Sequence, residues 1–161
     1  MKLKRREILR LHNGIAMMEG RPFSVKFSYF MAKNKVAIRD EIAAIDAARQ
    51  VTDGFKEYDN ERAQLAQQYA DKGADGSAKI HENSYVITVR KEEFDEALKE
   101  LRYKYAEPLK EQEAKMEELK ELLEEEVEFE GSKIDLKDIP ESIESSVLEI
   151  FILADLIIEA E

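Results

Sequence analysis

Carboxylates are the side chains of this sequence with the most chemistry in them, and they crowd into Lys110–Glu130, KEQEAKMEELKELLEEEVEFE. From Glu111 onward that stretch holds ten acidic residues against Lys115 and Lys120. Paired carboxylates do general acid–base work when a cleft shelters them and sets their pKa values apart. Carboxylates repeated along a narrow helical segment are offered no such cleft. His12 and His81 lie in unrelated segments, and neither has the HExxH-type spacing that gathers a metal. Residues 71–76, DKGADG, have glycines but no following Lys-Ser/Thr, so they read as a turn rather than a phosphate cradle. No twelve-residue ligand series ends in the glutamate that a calcium loop requires. Neither a GxSxG elbow nor a dinucleotide fingerprint is present. The expectation is therefore no catalytic residue, no metal, no cofactor and a role other than catalysis.

The acidic run has two readings. It is the solvated face of a long helix, or it is a docking surface for a basic partner, with Glu117, Glu121, Glu124 and Glu125 as the protein-binding candidates. Glu117-Glu118-Glu121 and Glu124-Glu125-Glu126 set like charges within a turn of each other, which costs helix stability. A basic partner would relieve them, and the chain carries one candidate itself. Residues 1–39 hold ten Lys or Arg against Glu7 and Glu19, whereas the net charge of the whole is −11. This asymmetry suits a basic start folded on acidic helices, and equally two charged surfaces offered to partners. The basic patch Lys2, Lys4, Arg5, Arg6 and Arg10, extended by Lys26, Lys33, Lys35 and Arg39, lacks the interleaved aromatics and the helix-turn-helix pattern of a nucleic-acid reader. The inverse idea is an acidic rod, Glu111–Glu130, that imitates a phosphate backbone.

The elements that position these residues are mostly helices. At 161 residues, with 43% hydrophobic and 38% charged residues and few glycines and prolines, the composition favours helix and fits one domain. Cysteine is absent, so disulfides and thiolate metal sites are excluded. No apolar run reaches the roughly 18 residues needed to span a bilayer, and the basic start has no long apolar segment of the secretory kind. A cytoplasmic location is the expectation.

Ile8, Leu11, Ile15 and Met18 stripe a first helix, residues 4–18, weakened by Gly14. Gly20 and Pro22 break it, and Ser24 caps a second helix. Ile38, Ile42, Ile45, Ala48, Val51, Phe55, Tyr58, Leu65 and Tyr69 continue in steps of three and four, which predicts one long helix over 25–70 with Gly54 as its weak point. A β element follows at 78–89, in which a small hairpin or a single ordered strand uses the same residues. Phe94, Leu98, Leu101, Tyr105, Leu109, Met116, Leu119 and Leu123 predict a second long helix over 91–126, bent at Pro108. Alternation at 127–136 predicts strands, as a second hairpin that also pairs near residue 85. A terminal helix over 141–158 carries Ile150, Phe151, Leu153 and Ile157 as core or oligomer contacts. The predicted fold is mainly α with a small β element: one elongated domain, a coiled-coil-like antiparallel pair of long helices packed with terminal helices. Self-association through the terminal helices or the long pair is expected.

Three stretches together resemble a family of small proteins without assigned activity encoded in tailed-bacteriophage genomes. These are MKLKRREILRLHNGI, SVKFSYFMAKNKVAI and VEFEGSKIDLKDIPESIESSVLEIF. The resemblance implies a phage or prophage origin and transfers no catalytic residue; it makes Lys33, Asn34 and Lys35 the polar residues most worth testing. The central helices here look longer and the acidic run denser than in that family. The order long helix, strands, long helix also resembles prefoldin-type chaperone subunits, in topology alone. Together these readings point to a protein that binds a phage or host protein during particle assembly or to manage a host factor. The alternatives are an acidic DNA mimic that inhibits a host factor and a prefoldin-like chaperone. Neither membrane nor nucleic acid is an expected partner.

Overall fold

The computed structural model describes residues 1–158. In chain order its elements are β1 (Lys2–Lys4), α1 (Arg5–Met18), α2 (Val25–Ala48), α3 (Asp53–Tyr69), β2 (Ile80–His81), β3 (Ser84–Tyr85), α4 (Lys91–Lys104), α5 (Ala106–Glu124), β4 (Glu126–Glu128), β5 (Ile134–Asp135), α6 (Ser145–Leu153) and β6 (Ile157–Ile158). The fold is mainly α-helical, with 63% helix and a small, open β element. Contacts divide the chain into two compact units: Met1–Arg49 with the chain from Glu118 onward, and Gln50–Glu117.

The first unit is built on α1, α2 and α6. The stripe Ile8, Leu11, Ile15 and Met18 is buried as its spacing requires. At Gly14 a Cβ would meet Ile150 Cδ1 at 3.4 Å and Val147 Cγ1 at 3.6 Å, ordinary contact distances, so α6 lies close over α1. Ser24 caps α2, its hydroxyl accepting from the Phe27 N–H at 3.2 Å. Phe27 and Phe30 of α2 then pack on Phe151 of α6, with ring centroids 6.4 and 5.2 Å apart.

The strands at 127–136 do not form the second hairpin that their alternation predicts, nor do they pair near residue 85. β4 pairs antiparallel with β1, Leu3 opposite Val127. β5 pairs in parallel with β6, Ile134 opposite Ile157. Gly131 lies between them, and a Cβ there would stand 2.2 Å from Leu156 Cδ2 and 2.7 Å from Phe129 Cζ, so any larger residue must displace these buried side chains. The terminal helix is shorter than 141–158. It ends at Leu153, Asp155 adopts a left-handed φ of 51°, and the Leu156 N–H returns to the Phe151 carbonyl at 2.9 Å. The chain then leaves as β6, which fits the β-branched pair Ile157-Ile158.

Both predicted long helices break. Over 25–70 the break falls at Arg49–Thr52, where Thr52 caps α3 by accepting from the Phe55 N–H at 3.3 Å. The Thr52 N–H is itself taken by the carboxamide oxygen of buried Gln112 at 2.9 Å. The apolar spacing runs on through this break, which is why periodicity alone joins the two helices. Ile38, Ile42 and Ile45 nevertheless serve the first unit, and Phe55 and Tyr58 the second. Over 91–126 the break falls at Tyr105, not Pro108. Pro108 sits in the first turn of α5, where its missing N–H costs nothing, and the interruption moves ahead of it. What packs side by side in the second unit is the shorter pair α3 and α4. The β element between them is a hairpin, β2 with β3, whose turn residues Glu82 and Asn83 both have positive φ, as a two-residue type I′ loop requires.

Candidate protein-binding surfaces

In the first unit the acidic run meets the chain's own basic start. Lys4 Nζ lies 2.9 Å from Glu124, and Arg6 reaches the other oxygen of the same carboxylate at 2.5 Å. Arg5 bonds Glu125 and, at 2.8 Å, Glu41. These cations stand at the C-terminal end of α5, where the helix dipole also favours positive charge, and the Arg5 N–H donates to the Glu125 carbonyl at 3.0 Å. The Lys4 bond in particular holds Glu124 below the usual carboxylate range, and Glu41 above all raises Arg5. Two of the four glutamates singled out from sequence, Glu124 and Glu125, are therefore neutralised within the unit. Glu117 and Glu121 remain exposed.

The triplet Lys33, Asn34 and Lys35 separates into unlike roles. Asn34 is 1% exposed and clamps the loop after β4. Its side-chain oxygen accepts from the Ser132 N–H and its amide donates to the Ser132 carbonyl, both at 3.0 Å, with a third bond of 3.0 Å to the Phe30 carbonyl. Every polar atom of the side chain is thereby used inside the fold. Its spacing from Phe27, Phe30 and Ile38 already places it on the core face. Lys35 pairs with Glu19 across the α1–α2 turn. Lys33 is exposed, 5.9 Å from the Tyr29 ring centroid.

The C-terminal quartet separates as well. Phe151 is a core residue, Ile150 is half-buried over Gly14, and Ile157 is half-buried in β6. Leu153 faces solvent beside a shallow apolar dip lined with Leu3, Ile150 and Ala154.

The second unit contains a feature that residue spacing does not reveal. α3 and α4 leave an open groove of about 600 Å³. Leu65, Ala97 and Leu101 floor it, and Gln64, Gln68 and Glu100 are among its polar rims. At one end Glu61 accepts from Lys104 at 2.8 Å and from the Tyr105 hydroxyl at 2.7 Å, and the Tyr105 ring packs on Tyr58 at 5.8 Å. The Lys104 bond, then the Tyr105 bond, lowers the Glu61 pKa, and Glu61 raises that of Tyr105. At the other end Arg90 lies 4.3 Å above the Tyr69 ring, which packs on Phe94 at 6.0 Å. Asp71 ties that end together, accepting from the Thr88 and Val89 N–H groups at 3.1 Å each and from the Thr88 hydroxyl. The Thr88 hydroxyl bond is the main reason that Asp71 titrates below its usual range. The signal for the groove lay in the half-polar neighbours of Leu65, since Gln64 and Gln68 border the face that one partner helix cannot cover.

Among the described residues no group of three or more His, Asp or Glu is placed to hold a metal ion. His81 is exposed, 3.9 Å from Glu82. No helix among them is long and apolar enough to cross a membrane. Compared with known proteins, the chain matches no family model, no curated protein and no solved structure.

Proposed function

We propose that the protein is a non-enzymatic binding component whose second unit takes an amphipathic helix of another protein, of phage or host origin, into the α3–α4 groove. The observation that carries this reading is the incomplete seam. α4 has no fully buried residue among those described, and Tyr58 is the buried residue of α3. A two-helix layer normally needs a third apolar surface to close its core. A helix with leucine-like anchors at i, i+3, i+4 and i+7 would supply that surface. Glu96 and Glu100 on α4 favour basic residues along its flank. The setting in phage assembly rests on the family resemblance alone.

An acidic mimic of nucleic acid is less well supported, because Lys4, Arg5 and Arg6 already occupy Glu124 and Glu125. A prefoldin-like chaperone would use the hairpin end, where Ile80 and Val89 are exposed.

The test is capture of partners from phage-infected cells by the tagged full chain, comparing wild type with Leu101→Glu and with the rim variant Glu100→Lys. One protein retained by wild type and lost with both variants, while the far-ultraviolet circular dichroism stays unchanged, supports groove binding. Retention that is indifferent to both substitutions removes it. Suppression of aggregation of unrelated clients would favour the chaperone instead.

A further inference from the structure

α2 is apolar on two opposite sides, and the first unit uses one of them. With about 3.6 residues per turn, Phe27, Asn34, Ile38 and Ile45 share the core side, where each is buried. Val25, Tyr29, Ala32, Val36, Ala43 and Ala47 fall on the side directly opposite, and all are exposed. Val25 is 88% exposed, and Tyr29 and Val36 are each 63% exposed. A surface helix normally turns polar residues outward, and one that is apolar all round is buried. The steps of four, three, four and seven are those of a helix–helix seam, flanked by Lys33 and Asp40 on one edge.

We infer that this face is a homodimer interface in which α2 packs antiparallel against α2 of a second copy, with Val36 on the two-fold axis. Two complementarities select that occupant. Antiparallel pairing sets Val25 against Ala47 and Tyr29 against Ala43, so each large side chain meets a small one. A parallel pairing would set tyrosine on tyrosine and alanine on alanine. The second complementarity is charge. Under a two-fold axis perpendicular to the helices, the edge carrying Lys33 and Asp40 lies beside the same edge of the other copy. Each lysine then faces the other copy's aspartate, twice by symmetry. In the single chain Lys33 stands only against the Tyr29 ring among its described contacts, and Asp40 accepts from neighbouring Arg39 at 3.0 Å. A contact along one helix of 24 residues buries on the order of 1,000 Å² in total, the low end for a specific interface. The interface stands independently of what occupies the α3–α4 groove.

Sedimentation equilibrium of the full chain, from about 1 to several hundred micromolar, tests it. Wild type is expected to shift from monomer to dimer across that range, and Val36→Glu, which sets two carboxylates on the axis, to raise the dissociation constant at least about tenfold. Lys33→Glu and Asp40→Lys should each weaken self-association. Mixed, they should associate more tightly than either alone, because each introduced charge then faces its opposite. The cysteine-free sequence allows a geometric check by oxidation. Val36→Cys alone should cross-link, Val25→Cys alone should not, and Val25→Cys combined with Ala47→Cys should. A chain that stays monomeric, or a dimer indifferent to Val36→Glu, overturns the interface. Cross-linking by Val25→Cys alone overturns the antiparallel arrangement.

Discussion

Both units are built mainly of helices, yet they are held together differently. In the first, α1, α2 and α6 surround a core in which Leu11, Met18, Phe27, Ile45, Val147 and Phe151 are fully buried. In the second, Tyr58, Ala70 and Tyr105 are the buried hydrophobic residues among those described, none of them fully, and most of the seam between α3 and α4 is half-exposed. Polar bonds carry more of the structure there: Gln112 on Thr52, Glu61 on Lys104 and Tyr105, Asp71 on Thr88 and Val89. Single hydrogen bonds and exposed ion pairs contribute little each, whereas apolar burial adds up along a whole face. The difference separates a part that defines itself from a part whose apolar surface is still available.

The comparison can be broken most forcefully at Phe151. Phe151→Ala should cost about 3–5 kcal/mol in chemical denaturation, with hydrogen exchange rising across α1, α2 and α6 and changing little in α3 and α4. Uniform acceleration throughout would show that the two units do not unfold separately. Asn34→Ala leaves both Ser132 backbone groups without their side-chain partner, and a loss of about 2 kcal/mol is expected. Exchange at residues 130–134 should report it first. The smaller effects belong to the second unit. Tyr105→Phe keeps the ring against Tyr58 and removes the hydroxyl bond to Glu61, for about 1 kcal/mol or less by thermal denaturation.

Acid sharpens the contrast. Glu61 and Asp71 both titrate below their ordinary values of 4.5 and 3.8. Their contribution to stability is therefore complete above those values and is lost as pH falls through the lowered folded-state values. Between neutral pH and about pH 3, protection of α3 and α4 against exchange, relative to the intrinsic rate at each pH, should be lost before that of α1 and α2. The reverse order would mean that Glu124 and its basic partners matter more than these two carboxylates.

Much of this architecture could be read from the residues, and the failures share a cause. The α1 stripe, the Ser24 cap and the hairpin before α4 are local, fixed by side-chain spacing or by turn chemistry over a few residues. The breaks at Arg49–Thr52 and Tyr105 are hidden because the apolar period runs through both; the first is held by Gln112 on Thr52 from 60 residues away, and the second precedes Pro108 in the first turn of α5. The partners of β4 and β5 are likewise distant in sequence, and a strand of two or three residues carries no pairing information of its own. Among the candidate residues, Asn34 directs its chemistry inward, onto Phe30 and Ser132. The groove and the outer face of α2 are not legible in spacing, because periodicity marks apolar residues without telling how many of their faces a core can cover.

The first unit is discontinuous, its two segments separated by the whole of the second. On a ribosome adding roughly 5–20 residues per second, α1 and α2 emerge several seconds before α6 exists to cover Phe27 and Phe30. The intervening unit is contiguous and can close while they wait. Newly made chains thus pass through a stage in which a finished hairpin is attached to an unprotected apolar pair of helices. Translation speed and chaperone supply bear on this protein's yield more heavily than its final stability suggests.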